Sequence, residues 1–87
     1  MILKEFRYVI KDKVGIHARP AGKLVKLVSN FKSIVTIHKA DKNVDCKRLF
    51  GIMGLGIKCG DEILIKVDGV DEDIAVLEIE KFFNENL

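Results

Sequence analysis

The chain is poor in the features that mark most specialised protein classes. It has no Trp, 1 Tyr and 5 Phe, and most of these few aromatics fall in patterns that bury them. That leaves no platform on which single-stranded nucleic acid would stack. Neither sign of charge dominates: 15 basic and 13 acidic residues give a net charge of +2. They are mixed along the chain, a balance too weak to argue for a nucleic-acid binder, although it leaves room for a local basic patch. There are only 2 Cys, and Cys46 and Cys59 form neither a CxxC pair nor a metal-ligand spacing. They are read as two reduced thiols, which places the chain in the cytoplasm. No apolar run approaches the roughly 18 residues of a membrane span. The start, Met1-Ile2-Leu3-Lys4-Glu5, meets charge at once and carries no secretory leader pattern. Repeats, linkers and low-complexity stretches are also missing.

What is present suffices for one compact domain over residues 1–87, since 48% of the residues are hydrophobic. So short a chain cannot enclose both a core and a deep pocket, so any chemistry belongs at the surface. Glu5 to Ile10 alternates, with Phe6, Tyr8 and Ile10 on one face of a half-buried strand. From Ala18 to about Asn30, Ala21, Leu24, Val25 and Val28 recur at helical spacing, and Pro20 sits near the helix start, where it is tolerated. Ser33 to Lys39 reads as a strand, Ala40-Asp41-Lys42-Asn43 as a hairpin turn, and a short strand returns around Val44. Lys47 to Leu55 predicts a short helix despite Gly51 and Gly54. Glu62 to Val67 predicts a further strand. Asp71 is placed to cap a last helix to about Asn86, with Ala75, Ile79, Phe82 and Phe83 buried. The order βαββαβα predicts an α+β fold: an antiparallel sheet with helices on one face. Arg7, Thr36, His38 and Lys66 fall on the other, solvated face.

The informative stretch is Gly15-Ile16-His17-Ala18-Arg19-Pro20-Ala21. It sets a histidine directly before a helix whose first turn holds an arginine. The first N–H groups of a helix lack intrahelical partners and carry partial positive charge, which favours anions and phosphate in particular. Arg19 adds a permanent cation with a fork suited to phosphate oxygens. A neutral imidazole at His17 can attack a phosphoryl donor, and the dianionic product then sits in positive potential already in place. The residues alone leave two readings open, a nucleophile and an ordinary surface histidine at a helix start.

This segment is similar, residue for residue, to the active-site signature of the HPr family, the histidine-containing phosphocarriers of the bacterial sugar phosphotransferase system. Lys47-Arg48-Leu49-Phe50-Gly51-Ile52-Met53-Gly54-Leu55-Gly56-Ile57 resembles the family's regulatory-site helix. Gly60-Asp61-Glu62-Ile63, Gly69-Val70-Asp71-Glu72 and Ala75 continue the match, so that it spans essentially the whole chain. The resemblance implies an open-faced β-sandwich of four antiparallel strands and three helices. It implies a carrier rather than an enzyme. Enzyme I, charged by phosphoenolpyruvate, phosphorylates the histidine, and the group passes to IIA domains of sugar permeases. On that basis His17 is the phosphoryl acceptor through Nδ1, Arg19 stabilises the phosphate, and the backbone N–H groups of Ala18 and Arg19 are candidate donors to it. No metal, organic cofactor, nucleic acid or membrane insertion is expected, and a monomer suits a carrier that must undock quickly.

The second helix holds more apolar residues than a short surface helix buries. Ile52 and Leu55 suffice for the core, so Leu49, Phe50 and Met53 are expected to form an exposed docking patch, with Lys26 and Lys47 steering acidic partners. The family's docking surface agrees. Arg48 stands where many family members carry a regulatory serine, so a serine-phosphorylation switch is not expected. Val14 replaces a small polar residue, and Gly22 loosens the helix beside the site. A different class of protein stays in view: a regulatory docking module with no phosphoryl traffic, against which an intact His17 and Arg19 argue. His38 reads as a surface histidine, and Asp71-Glu72-Asp73 as helix-start charges rather than a calcium loop.

Overall fold

In the computed structural model, which describes residues 3–87, the elements run β1 (Lys4–Val9), α1 (Ala18–Val28), β2 (Ile34–Lys39), β3 (Lys42–Asp45), α2 (Leu49–Gly54), β4 (Glu62–Asp68) and α3 (Glu72–Asn86). Met1 and Ile2, on which part of the leader argument rests, lie outside the described residues. The four strands form one antiparallel sheet in the order β1-β4-β2-β3. The α+β architecture and the βαββαβα order are those read from the sequence.

Alternation along the central strands decides which face is covered. Val35 and Ile37 of β2 and Ile63, Ile65 and Val67 of β4 are buried, their neighbours are not, and the helices supply Ala21, Leu24, Val28, Ile52, Ala75, Ile79 and Phe83 to the same core. Phe83 is the hinge of the β1 contact: Phe6 and Tyr8 meet its ring edge-on at centroid distances of 5.8 and 5.5 Å. Phe82, expected in the buried stripe of α3, is only half-buried, because it turns toward α1. The uncovered face is less solvated than expected. Arg7 is exposed, but Thr36, His38 and Lys66 are half-buried, since side chains on paired central strands shade one another. His38 Nε2 lies 2.9 Å from Thr36 Oγ1. Partial burial, and then the Lys66 charge, hold the His38 pKa below its ordinary value.

Several boundaries differ from the sequence reading, each for a local reason. The hairpin turn is Ala40-Asp41 alone, because Lys42 already pairs with Lys39 and Asn43 with His38; Ala40 takes the left-handed conformation with φ +54°. The second helix begins at Leu49 rather than Lys47. Asp45 holds the preceding residues in a turn, its Oδ1 accepting the Lys47 N–H at 2.8 Å and its carbonyl the Arg48 N–H at 3.0 Å. The first helix ends at Val28, where the Ser29 hydroxyl donates back to the Val25 carbonyl at 2.7 Å.

Asp71 is the N-cap of α3 by position, but its carboxylate does not cap that helix. It reaches the segment before β2 instead, accepting the N–H groups of Lys32 (2.8 Å) and Ser33 (2.9 Å) and the Ser33 hydroxyl (2.5 Å). Ser33 is therefore buried and outside β2, although the sequence placed it in the strand. Glu72 instead closes the turn ahead of α3, its Oε1 accepting the Gly69 N–H at 3.1 Å and its own N–H donating to the Gly69 carbonyl at 3.2 Å. Cys46 is buried, which pushes its thiol pKa up to about 12, with Asp45 adding to the rise; Cys59 is exposed and both thiols are free. No helix among the described residues is long and apolar enough to cross a membrane.

Candidate functional site

The loop from β1 to α1 is shaped by three anchors before it reaches His17. At its start the Lys11 and Asp12 N–H groups both donate to the Leu87 carbonyl, at 2.6 and 2.8 Å. Asp12 then closes the turn, its carbonyl accepting the Gly15 N–H (3.0 Å) and its Oδ1 the Val14 N–H (2.8 Å). Gly15 follows at φ +82°, where a Cβ would strike the Ile57 carbonyl oxygen, so only glycine fits. That carbonyl accepts the Ile16 N–H at 3.1 Å, and Ile16 and Ile57 are both buried.

The 56–61 loop carrying Ile57 is itself tied down. The Asp61 carboxylate accepts the Lys58 N–H at 2.8 Å and pairs with Lys39 Nζ at 3.0 Å, while Lys39 also donates to the Gly56 carbonyl at 2.8 Å. The Lys58 bond first, and then the Lys39 bond, keep the Asp61 carboxyl below the usual carboxylate range.

His17 emerges from this scaffold as the N-cap of α1, with extended backbone (φ −95°, ψ −173°). Its carbonyl accepts the Ala21 N–H at 3.0 Å, which starts the helix. Its side chain makes no capping bond and the residue is exposed, so the imidazole is not consumed by the helix it precedes. Ala18 and Arg19 are exposed, and as the first two helical positions their N–H groups have no intrahelical acceptor. Pro20 is buried at the third position, where it has no N–H to leave unpaired. The first turn of α1 contains no acidic residue, so nothing within it neutralises the positive helix end.

A shallow depression of about 240 Å³ brings His17 and Arg19 together with Asp12, Pro20, Lys23 and Asn86. Sequence reasoning missed the last two and Asp12. Lys23 was findable, four residues after Arg19 and hence on the same helical face. Asn86 belongs to the far end of the chain and carries no local signal. Lys26 does not reach this depression; it lines a neighbouring groove of about 440 Å³ between α1 and α3 with Leu27, Asn30 and Phe82, which Lys23 and Asn86 line as well.

The other expected site residues lie on and around α2, which packs beside α1. Phe50 is 83% exposed and Met53 38%, whereas Leu49 is half-buried against the core, so it offers only part of its side chain to a docking patch. Lys47 is exposed. Arg48 is the exposed N-cap of α2, and its side chain makes no capping bond.

The geometry is thus an exposed imidazole at a helix start whose first turn holds no acid, sharing a surface depression with a guanidinium on an open-faced sandwich. The chain matches the family model described as "PTS HPr component phosphorylation site" over residues 4–85. It is 42% identical over 79 residues to the phosphocarrier protein HPr of Mycoplasma capricolum, covering 91% of this chain and 89% of that one. Among solved structures, a mycoplasma histidine-containing phosphocarrier protein superposes with a TM-score of 0.91 at 40% identity, covering 94% of this chain and 93% of the other. The HPr of Bacillus anthracis superposes at 0.86 with 31% identity, covering 93% and 96%. The chain belongs to the HPr family, the phosphocarriers of the phosphotransferase system.

Proposed function

We propose that the chain, as a single HPr-like domain over residues 1–87, accepts a phosphoryl group on His17 from phosphorylated enzyme I. It then passes the group to IIA domains of sugar permeases, working as a cytoplasmic monomer. The observation that carries this reading is the exposed His17 side chain, left free by α1 and sharing one depression with Arg19.

In the transfer, the lone pair of an unprotonated His17 ring nitrogen, Nδ1 by family resemblance, forms the new N–P bond. The donor's bond to phosphorus breaks, and its electron pair stays with the donor. The phosphoryl oxygens, carrying their negative charge across, meet the Arg19 guanidinium and the free N–H groups of Ala18 and Arg19. The return step to a IIA domain reverses these movements. The protein is a carrier in this scheme, because the next acceptor is another protein and it needs no substrate pocket of its own.

Partner contact is assigned to Phe50, Met53 and the exposed part of Leu49, with Lys26 and Lys47 steering acidic surfaces. Arg48, at the position equivalent to the regulatory serine, has no hydroxyl, so the serine switch is lost. The two serines offer no substitute: Ser33 is buried against Asp71, and Ser29 is at the end of α1. Phosphorylation of Ser29 by a kinase of this system, with the same regulatory outcome, would overturn that part.

The central test mixes the protein with enzyme I and phosphoenolpyruvate. An acid-labile, base-stable phosphohistidine is expected, and it should be missing from the His17→Ala variant. A folded wild-type protein that gains none would instead be a docking module, recognised through its exposed Phe50 face.

A further inference from the structure

Resting on that reading of His17, we infer that Lys23 is a second phosphate-binding cation of the site, acting with Arg19 on the phosphoryl group once it is attached. Arg19 and Lys23 are four residues apart on α1 and so rise on one face of the helix. Both wall the depression that contains His17. Lys23 is exposed and, among the described residues, forms no ion pair, in contrast to Lys39, whose ammonium is held by Asp61 and the Gly56 carbonyl.

Charge balance explains why a second cation matters here. The groups facing the depression are Asp12 from the preceding loop, Arg19 and Lys23 from α1, and the neutral amide of Asn86 from α3, whose Nδ2 donates to the Phe82 carbonyl at 3.0 Å. Asp12 is an anion in a site meant for an anion, and its carboxylate cannot move away freely because it holds the Val14 N–H. With a neutral imidazole, Arg19 and Asp12 cancel. Lys23 leaves the lining cationic, at the border between the depression and the α1–α3 groove, both of which it lines with Asn86. Lys26 is the natural comparison: it lies on the same helix but lines the groove beyond, not the depression with His17.

The test avoids partner proteins, so that docking cannot be confused with phosphate binding. Phosphoramidate donates its phosphoryl group to the imidazole, the new N–P bond forming as the reagent's P–N bond breaks and ammonia leaves. The pH titration of the phosphoryl group is then followed by phosphorus NMR. A nearby cation favours the dianion, so Lys23→Gln should raise the titration midpoint by several tenths of a pH unit. Lys23→Arg should restore it, Lys26→Gln should leave it in place, and the difference should shrink in high salt. A Lys23→Gln midpoint equal to wild type, or an equal shift in Lys26→Gln, overturns the inference while leaving the carrier function standing. Wild-type protein that takes up no phosphoryl group on His17, from phosphoramidate or from enzyme I with phosphoenolpyruvate, overturns the function and this inference together.

Discussion

Asp71 shows how one side chain can do a different job from the one its position suggests. At the start of α3 it was expected to cap that helix, yet its carboxylate serves Lys32 and Ser33 across the fold. The Ser33 hydroxyl first, and then the Lys32 N–H, hold its carboxyl below the ordinary range. A carboxylate with a depressed folded-state pKa adds stability that is complete above its unfolded value of about 3.9 and is lost as pH falls through the lower folded value. Asp71→Asn should therefore lower the urea midpoint at pH 7 and flatten its decline below about pH 4. Parallel urea titrations at pH 7, 4 and 3 check this; a variant with the wild-type acid slope would remove Asp71 from the account. The sequence showed an acid at a helix start. It did not show the two residues before β2 that come to lie against it.

At the scale of elements, glycines separate tight joints from loose ones. Gly69, between β4 and α3, passes so close to Ser33 that a Cβ would lie 2.5 Å from its Cα and 2.7 Å from its Oγ. Backbone cannot yield as a flexible side chain can, so Gly69→Ala should cost about 1–3 kcal/mol, the range for overpacking. Gly54, in the last turn of α2, has nothing within 4 Å of the same added carbon. There alanine removes only backbone freedom, and Gly54→Ala should stabilise by up to about 1 kcal/mol. Urea denaturation of the pair reads both signs, and a neutral Gly69→Ala would show that the β4–α3 joint has slack. All seven elements were legible because apolar residues recur every second position in β2 and β4 and at helical spacing in α1. Their ends were less so. The first residues of α2 are surrendered to the Asp45 turn, and the four-residue hairpin turn shrinks to two once β3 pairs with β2.

For the whole molecule, the exposed face of α2 is the surface proposed for docking. Phe50 stands 83% exposed and adds nothing to the core, and Met53 adds little. Replacing both with serine should leave the thermal midpoint close to wild type while raising the Michaelis constant with enzyme I roughly tenfold, equivalent to about 1.4 kcal/mol of lost binding. Unchanged transfer kinetics would move the docking surface elsewhere. The sequence by itself determined the order of strands and helices, the family, and the pairing of His17 with Arg19, because periodicity and a contiguous motif are local properties of a chain. Tertiary structure alone decided that Ile57 forces glycine at position 15, that Leu87 pins the loop before His17, and that Asn86 joins the histidine's depression. Ile57, Asn86 and Leu87 lie far along the chain from His17, and only folding the sheet under its helices brings them within reach of it.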